Sequence, residues 1–198
     1  MAIFYTSDWH LGHDRILELT NRGLHFDSVE QMNKTIIANA NSIAGPLDTI
    51  RLIGDAVMGK RADNLQLFDK VHASVELILG NHDYPHPSNS RKHVEKWTPI
   101  YEDYFAKVDL TRLVVINGQF VLLSHVPYTG DSHETRHNDL SAWTPEDQGQ
   151  WLIHGHTHAE TKRSTGKQIH VGIDALDWDW PDYHPIPESL IVEELGKA

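Results

Sequence analysis

Five short clusters of carboxylate, imidazole and amide side chains punctuate the sequence: Asp8-Trp9-His10, Gly54-Asp55, Gly80-Asn81-His82-Asp83, Ser124-His125 and Gly155-His156-Thr157-His158. Each follows a strand-like run, and in α/β sheets ligands bind beyond the carboxyl ends of strands, where such loops converge. Oxygen and imidazole nitrogen form the ligand set for Mn, Fe, Zn, Ni or Co rather than for Ca or soft copper. The chain has no cysteine, so thiolate catalysis, disulfide scaffolds and Cys-based metal sites are excluded. Seven candidate ligands remain: Asp8, His10, Asp55, Asn81, His125, His156 and His158. They exceed the needs of one ion and suit two ions sharing a carboxylate. Singly these signals are weak, because Asp-x-His is common and a lone His-x-His at a strand end is more often structural. Five clusters in order at five strand ends point to one metal pocket. His82-Asp83 also suits the all-helical HD hydrolases, but here it follows an apolar strand-like run and a glycine, which argues against that class.

The elements that must position these clusters are legible in the hydrophobic pattern. Ala2 to Ser7, Thr49 to Ile53 and Ser74 to Leu79 read as strands. Between them, Ser28-Val29-Glu30-Gln31 looks like a capping box that opens a helix from Val29 to Ile43. A second helix is predicted from Asn64 to Val71, giving a β-α-β-α-β order. Thr111 to Ile116 and Gln119 to Ser124 form a hairpin across Asn117-Gly118, a pair suited to a type I′ turn. Trp151 to His154, Gln168 to Ile173 and Ser189 to Glu193 supply further candidate strands. The class is α/β or α+β, with mixed sheets and helices outside. Pro127 to Asp147 reads as a long functional loop. Asp174 to Pro187, with Trp178 and Trp180, reads as an ordered irregular segment, either core cover or a homo-oligomer contact.

The 198 residues suit a single domain, residues 1–198. Hydrophobic residues at 39% and charged residues at 23% fit a soluble globular chain, and no run approaches the roughly 18 apolar residues of a membrane span. Met1 to Asp8 lacks the basic and apolar regions of a signal peptide, so a cytoplasmic location is expected. The formal charge of -11 repels long nucleic acids, whose affinity rests on basic phosphate contacts.

The series Asp-x-His, Gly-Asp, Gly-Asn-His-Asp, His and Gly-His-x-His resembles the calcineurin-like metallophosphoesterase superfamily, across residues 8–158. That resemblance implies a four-layer sandwich of two mixed β-sheets flanked by helices. It implies that Asp8, His10, Asp55 and His158 hold a first metal, and that Asp55, Asn81, His125 and His156 hold a second, with Asp55 bridging. His82 then takes the place of the family's catalytic histidine, near the leaving group, and Asp83 orients it. The family often has a polar residue soon after Gly-Asp, whereas Ala56-Val57-Met58-Gly59 follows here. Residues Ile3 to His13 are more closely similar to small bacterial and phage phosphoesterases, some of which cleave cyclic nucleotides.

Two ions roughly 3.5–4 Å apart would bridge an attacking hydroxide and clamp the phosphoryl oxygens. Mn2+ is the expected metal, with Fe, Zn, Ni or Co as alternatives. His82 would serve the leaving oxygen as a general acid. With two divalent ions and a hydroxide added to Asp8 and Asp55, the pocket would keep a net charge of about +1 despite the acidic surface, which attracts a small phosphate ester. His13 is a phosphate contact or a hydrogen-bonded loop histidine. In the long loop, with His133 and His137 beside them, Arg136 offers a phosphate fork and Trp143 a stacking face, against the alternative of a solvated loop. His154 and His170 read as hydrogen-bonded structural residues. The expected function is a phosphodiesterase for small nucleotides such as 2′,3′-cyclic nucleotides. A phosphomonoesterase, including a protein phosphatase, and a non-catalytic metal-binding scaffold are the alternatives, and His82 has no use in the scaffold.

Overall fold

The computed structural model describes residues 1–129 and 140–197. The first sheet takes strands β1 (Ile3–Thr6), β2 (Thr49–Ile53), β3 (Ser74–Ile78), β4 (Lys107–Asp109) and β9 (Ile186–Pro187) in the order β4-β3-β2-β1-β9. All pair in parallel except β9, which runs antiparallel to β1. The second sheet takes β5 (Thr111–Ile116), β6 (Gln119–Ser124), β7 (Trp151–His154) and β8 (Gln168–His170) in that order. β5 and β6 form the antiparallel hairpin, with Asn117 and Gly118 at φ 47° and 76°, and the other two pairs are parallel. These are two mixed sheets with flanking helices, as the resemblance implies.

Period-two alternation explains how one sheet serves two cores. Phe4, Leu52 and Leu77 face the helices α2 (Val29–Ile43) and α4 (Arg91–Tyr104), while their neighbours Tyr5, Ile53 and Ile78 meet Val121, Leu123, Trp151, Ile153 and Ile169 of the second sheet. Each such buried side chain contributes roughly 1.5–3 kcal/mol. The Ser28 hydroxyl accepts from Gln31 N at 3.1 Å, so α2 begins at the predicted cap.

Several elements differ from the sequence reading. Ser189 to Glu193 is not a strand but lies in helix α5 (Glu188–Leu195), because Ile191 and Leu195 stand one turn apart on a face buried between the sheets. The helix predicted from Asn64 to Val71 is instead α3 (Arg61–Leu65) followed by a 3-10 turn over Gln66–Lys70. Helix α4 carries charged residues at both ends and Pro99 in its interior, which mask the apolar stripe of Trp97 and Tyr101. A four-residue helix α1 (Ile16–Leu19) and a 3-10 turn over Asn21–Leu24 lie between β1 and α2. The Asp174 to Pro187 segment packs Trp178 into the inter-sheet core, which makes that tryptophan core cover rather than a contact surface.

The outward residues of β7 and β8 are also buried. His154 Nδ1 donates to the Gly155 carbonyl at 2.8 Å and Nε2 accepts from Ser164 Oγ at 2.8 Å, a neutral pair of bonds. Burial, reinforced by His170, pushes the His154 imidazole from 6.5 down to about 3. Between those values the unfolded chain binds a proton that the folded chain refuses, so this stability is present above pH 6.5 and is lost as pH falls toward 3. Urea unfolding of metal-stripped protein at pH 7.5 and 5.5 should therefore lose about 1 kcal/mol more in wild type than in His154→Gln. Equal losses would contradict the assignment.

Candidate metal centre

The five clusters occupy the loops at the carboxyl ends of β1, β2, β3, β6 and β7. Their backbone is unusual in a consistent way. Asp8, His10, Asp55, His156 and His158 have φ of 59°, 46°, 56°, 70° and 49°, the left-handed region that non-glycine residues rarely enter. Strain of this kind survives where surrounding contacts over-determine it, and it concentrates at functional sites. Two glycines permit the close packing. A Cβ on Gly80 would overlap Asp55 Oδ1, and one on Gly155 would overlap Ser7 Oγ and Asp8 Oδ2. The glycine in Gly-Asn and Gly-His is thus space for a neighbouring carboxylate.

Ligand atoms of Asp8, His10 and His158 converge within 4.8 Å of one another, as do those of Asp8, Asp55 and His125. His10 Nε2 is 3.2 Å from His158 Nε2 and 3.5 Å from Asp55 Oδ2. His125 Nε2 is 3.3 Å from Asp55 Oδ2 and 4.0 Å from Asp8 Oδ1. The His156 ring stands 5.2 Å from that of His125, and its backbone N–H donates to both Asp8 carboxylate oxygens at 3.1 Å. Asn81 is buried at the start of the loop after β3, where the His82 N–H donates to Asp55 Oδ1 at 2.9 Å.

These atoms fit cations and fit poorly without them. Among the described residues His10 Nδ1, Asn81 Oδ1 and His125 Nε2 are buried without a hydrogen-bond partner, a costly arrangement unless another ligand claims them. His125 Nδ1 donates to the Ile53 carbonyl at 2.7 Å, which turns the Nε2 lone pair toward two carboxylates. Burial opposes charge on His125, yet Asp55 and Asp8 outweigh it and push the imidazole up to about 10. The pocket thus draws positive charge to a buried position. Burial drives His10 the other way, well below its ordinary value despite Asp55.

Two residues that the sequence reading missed brace this cluster. His158 Nδ1 donates to Asp174 Oδ2 at 2.7 Å, which leaves Nε2 facing His10. Arg22, 1% exposed, grips Asp174 through Nε at 2.8 Å and Nη2 at 2.6 Å and donates from Nη2 to the Asp8 carbonyl at 2.7 Å. Burial would raise the Asp174 carboxyl, but Arg22 holds it well below the usual carboxylate range. Asp174 ends the apolar run Val171-Gly172-Ile173 that continues from β8. Asp174→Asn should weaken metal binding roughly 10–100-fold, the usual cost of losing a carboxylate behind a ligand histidine. Calorimetric titration of chelated protein with Mn2+ would measure it, and unchanged affinity would remove Asp174 from the site.

His82 is half-buried, its ring 5.6 Å from that of His10 and nearly edge-on, outside both ligand clusters. The hydrogen bonds of Asp83 among the described residues run to backbone and to the Tyr101 hydroxyl rather than to the His82 ring. The Asp83 carboxylate accepts backbone N–H groups from Asp55 at 3.0 Å, Ala56 at 3.1 Å and Gly80 at 2.9 Å, so it fixes two ligand loops rather than the His82 ring. His13 stands 5.7 Å from His10, its Nδ1 accepting from Arg15 N at 3.2 Å. Trp143 is half-buried and set edge-on to His86 at 5.5 Å, a partner the sequence reading did not name. Arg136, His133 and His137 lie outside the described residues. His154 is hydrogen-bonded as expected, whereas both ring nitrogens of buried His170 have no hydrogen-bond partner among the described residues.

The two sheets gather carboxylate and imidazole donors at their strand ends, a donor set suited to divalent metal ions. The chain belongs to the calcineurin-like phosphoesterase family, whose sequence model matches residues 1–160. The Gene 66 protein of Mycobacterium phage L5 is 36% identical over 186 residues, covering 87% of this chain and 86% of that protein. An uncharacterized protein of Methanocaldococcus jannaschii is 29% identical over 207 residues, covering 99% of this chain and 92% of its own. The solved structure of a protein of unknown function from Aquifex aeolicus shares the fold, with a TM-score of 0.67 at 24% identity over 98% of each chain. Among the described residues no helix is long and apolar enough to cross a membrane.

Proposed function

We propose that residues 1–198 act as one phosphodiesterase domain that hydrolyses small nucleotides, 2′,3′-cyclic nucleotides foremost, with two divalent ions, Mn2+ by preference. The observation that carries this reading is the pair of overlapping clusters around Asp8, with Asp55 facing both His10 and His125 and His82 beside them. When bound, divalent ions would supply activated water and charge neutralisation at the phosphoryl group. Asp8, His10, Asp55 and His158 would hold one ion, and Asp55, Asn81, His125 and His156 the other.

The chain's own groups do the rest. His82 is placed to hand a proton to the leaving oxygen, and Arg61 fixes its backbone by donating to the His82 carbonyl at 3.1 Å. His13 would meet a phosphate oxygen from the His10 side. Among the described residues the nearby arginines are committed, Arg22 to Asp174 and Arg61 to the His82 carbonyl and the Tyr84 ring. That favours a singly charged diester over a dianionic monoester. The -11 charge disfavours long nucleic acids in addition.

The test is a screen of Mn-loaded protein against bis-nitrophenyl phosphate, nitrophenyl phosphate and the isomeric cyclic nucleotides. Diester turnover should exceed monoester turnover and vanish on exhaustive chelation. Full activity with metal removal verified by elemental analysis would overturn metal dependence, and monoester preference would overturn the diester reading.

A further inference from the structure

One cavity adjoins the candidate metal centre on its His158 side, and no substrate group has been assigned to it. It has a volume of about 250 Å³ and is lined by Arg22, His158 and Asp174 together with Asn21, Leu176 and Tyr183. This is slightly below the ~300–1,000 Å³ of a typical small-molecule site, so it suits one fragment of a ligand rather than a whole nucleotide. Its charges exclude phosphate as that fragment. Arg22 is committed on every side: Nε and Nη2 to Asp174, Nη2 also to the Asp8 carbonyl, and Nη1 toward the Trp9 carbonyl at 3.4 Å. The other formal charges on its lining, Asp174 and Glu160, are negative.

Tyr183 supplies an independent observation. Among the described residues seven non-glycine residues have positive φ: five are candidate metal ligands, Asn117 makes the hairpin turn, and the seventh is Tyr183 at 58°. A tyrosine gains nothing in the left-handed region, which costs roughly 1–3 kcal/mol and is retained at ligand clamps when the surroundings enforce it. They do so here. Asn39 Nδ2 donates to the Tyr183 carbonyl at 3.3 Å, and Phe26 and His25 pack edge-on against its ring at 4.7 and 5.6 Å. The ring is thus held where it borders the cavity. Across the same cavity Asn21 Nδ2 donates to Glu160 Oε1, an exposed pair with hydrogen-bonding capacity to share.

We infer that this cavity binds an uncharged flat ring bearing hydrogen-bond donors, the nucleobase of a small nucleotide, with Tyr183 and Leu176 against the ring and Glu160 accepting from its edge. The inference deepens the nucleotide reading and rests on it for the phosphate alone, because His158 borders both the cavity and the candidate metal centre. It places base recognition on the His158 side, away from the Trp143 and His86 pair.

Nucleosides, which carry no phosphate, isolate the cavity from the metal centre. Calorimetric titration of the full chain with adenosine, guanosine, cytidine and uridine should show saturable binding of at least one. Tyr183→Ala and the cavity-filling Leu176→Trp should each weaken that binding by roughly tenfold or more, as loss of a stacking partner does, with metal content equal to wild type. Glu160→Gln, at an exposed position that folding tolerates, should change the order of preference among the four nucleosides. Absence of nucleoside binding by wild type, or equal affinity in Tyr183→Ala and Leu176→Trp, would overturn the inference. Failure of Mn-loaded wild type to hydrolyse bis-nitrophenyl phosphate would overturn the phosphodiesterase reading instead, and the nucleoside titrations would still report on the cavity.

Discussion

Asp55→Ala should strip the protein of metal and of hydrolysis together, whereas His82→Ala should keep its metal and lose only rate. Asp55 Oδ2 lies 3.5 Å from His10 Nε2 and 3.3 Å from His125 Nε2, so one carboxylate faces both histidines that anchor the two halves of the site. Removing it leaves buried nitrogen donors with less negative charge to balance a cation. Burial would raise the Asp55 carboxyl, but His125 and His82 hold it well below its ordinary value, which keeps it ionised for that task. The His82 ring packs beside His10 and belongs to neither cluster. Loss of a general acid costs roughly 10²–10⁴-fold in kcat, and Asp55→Ala should exceed that. Elemental analysis beside kcat on bis-nitrophenyl phosphate separates the roles. If metal content falls equally in both variants, His82 is a ligand and the proposed mechanism is wrong.

The residues of this site were more legible than the scaffold that holds them, for a physical reason. Ligand types at strand ends are local features: a short apolar run, then a small residue, glycine in three of five clusters, then a carboxylate, amide or imidazole, each readable within a few positions. Their glycines make sense only in three dimensions, where Gly80 gives room to Asp55 and Gly155 to Asp8, from distant parts of the chain. The bracing pair was harder to see. Arg22 lies in a short irregular stretch with no period to follow, and its partner Asp174 is 152 residues away. Helix α4 was hidden by its charge and by Pro99, and α5 by a run of apolar residues too short to tell a strand from a helix by pattern alone. Helix α2, with a cap and four turns of apolar spacing, was unambiguous.

Asp83→Ala should damage folding more than any other single change at this site, a consequence that the His-Asp motif by itself does not suggest. In that motif the aspartate is naturally read as steering its histidine. In this protein its carboxylate, fully buried, accepts three backbone N–H groups, from Asp55, Ala56 and Gly80, with the Tyr101 hydroxyl at 3.4 Å. Burial and the neighbouring Asp55 charge push its carboxyl up to about 7, with the amides acting against that rise. Each buried N–H left without an acceptor costs roughly 1–3 kcal/mol, so losing all three removes a large share of the ~5–15 kcal/mol that stabilises a domain. Asp83→Asn keeps one oxygen for the Asp55 and Gly80 amides and turns its NH2 toward Ala56, so it should be intermediate. Urea midpoints of the metal-stripped proteins should fall in the order wild type, Asp83→Asn, Asp83→Ala. If Asp83→Ala instead unfolds like wild type and loses rate to the same degree as His82→Ala, the aspartate acts on the histidine and the bracing role fails.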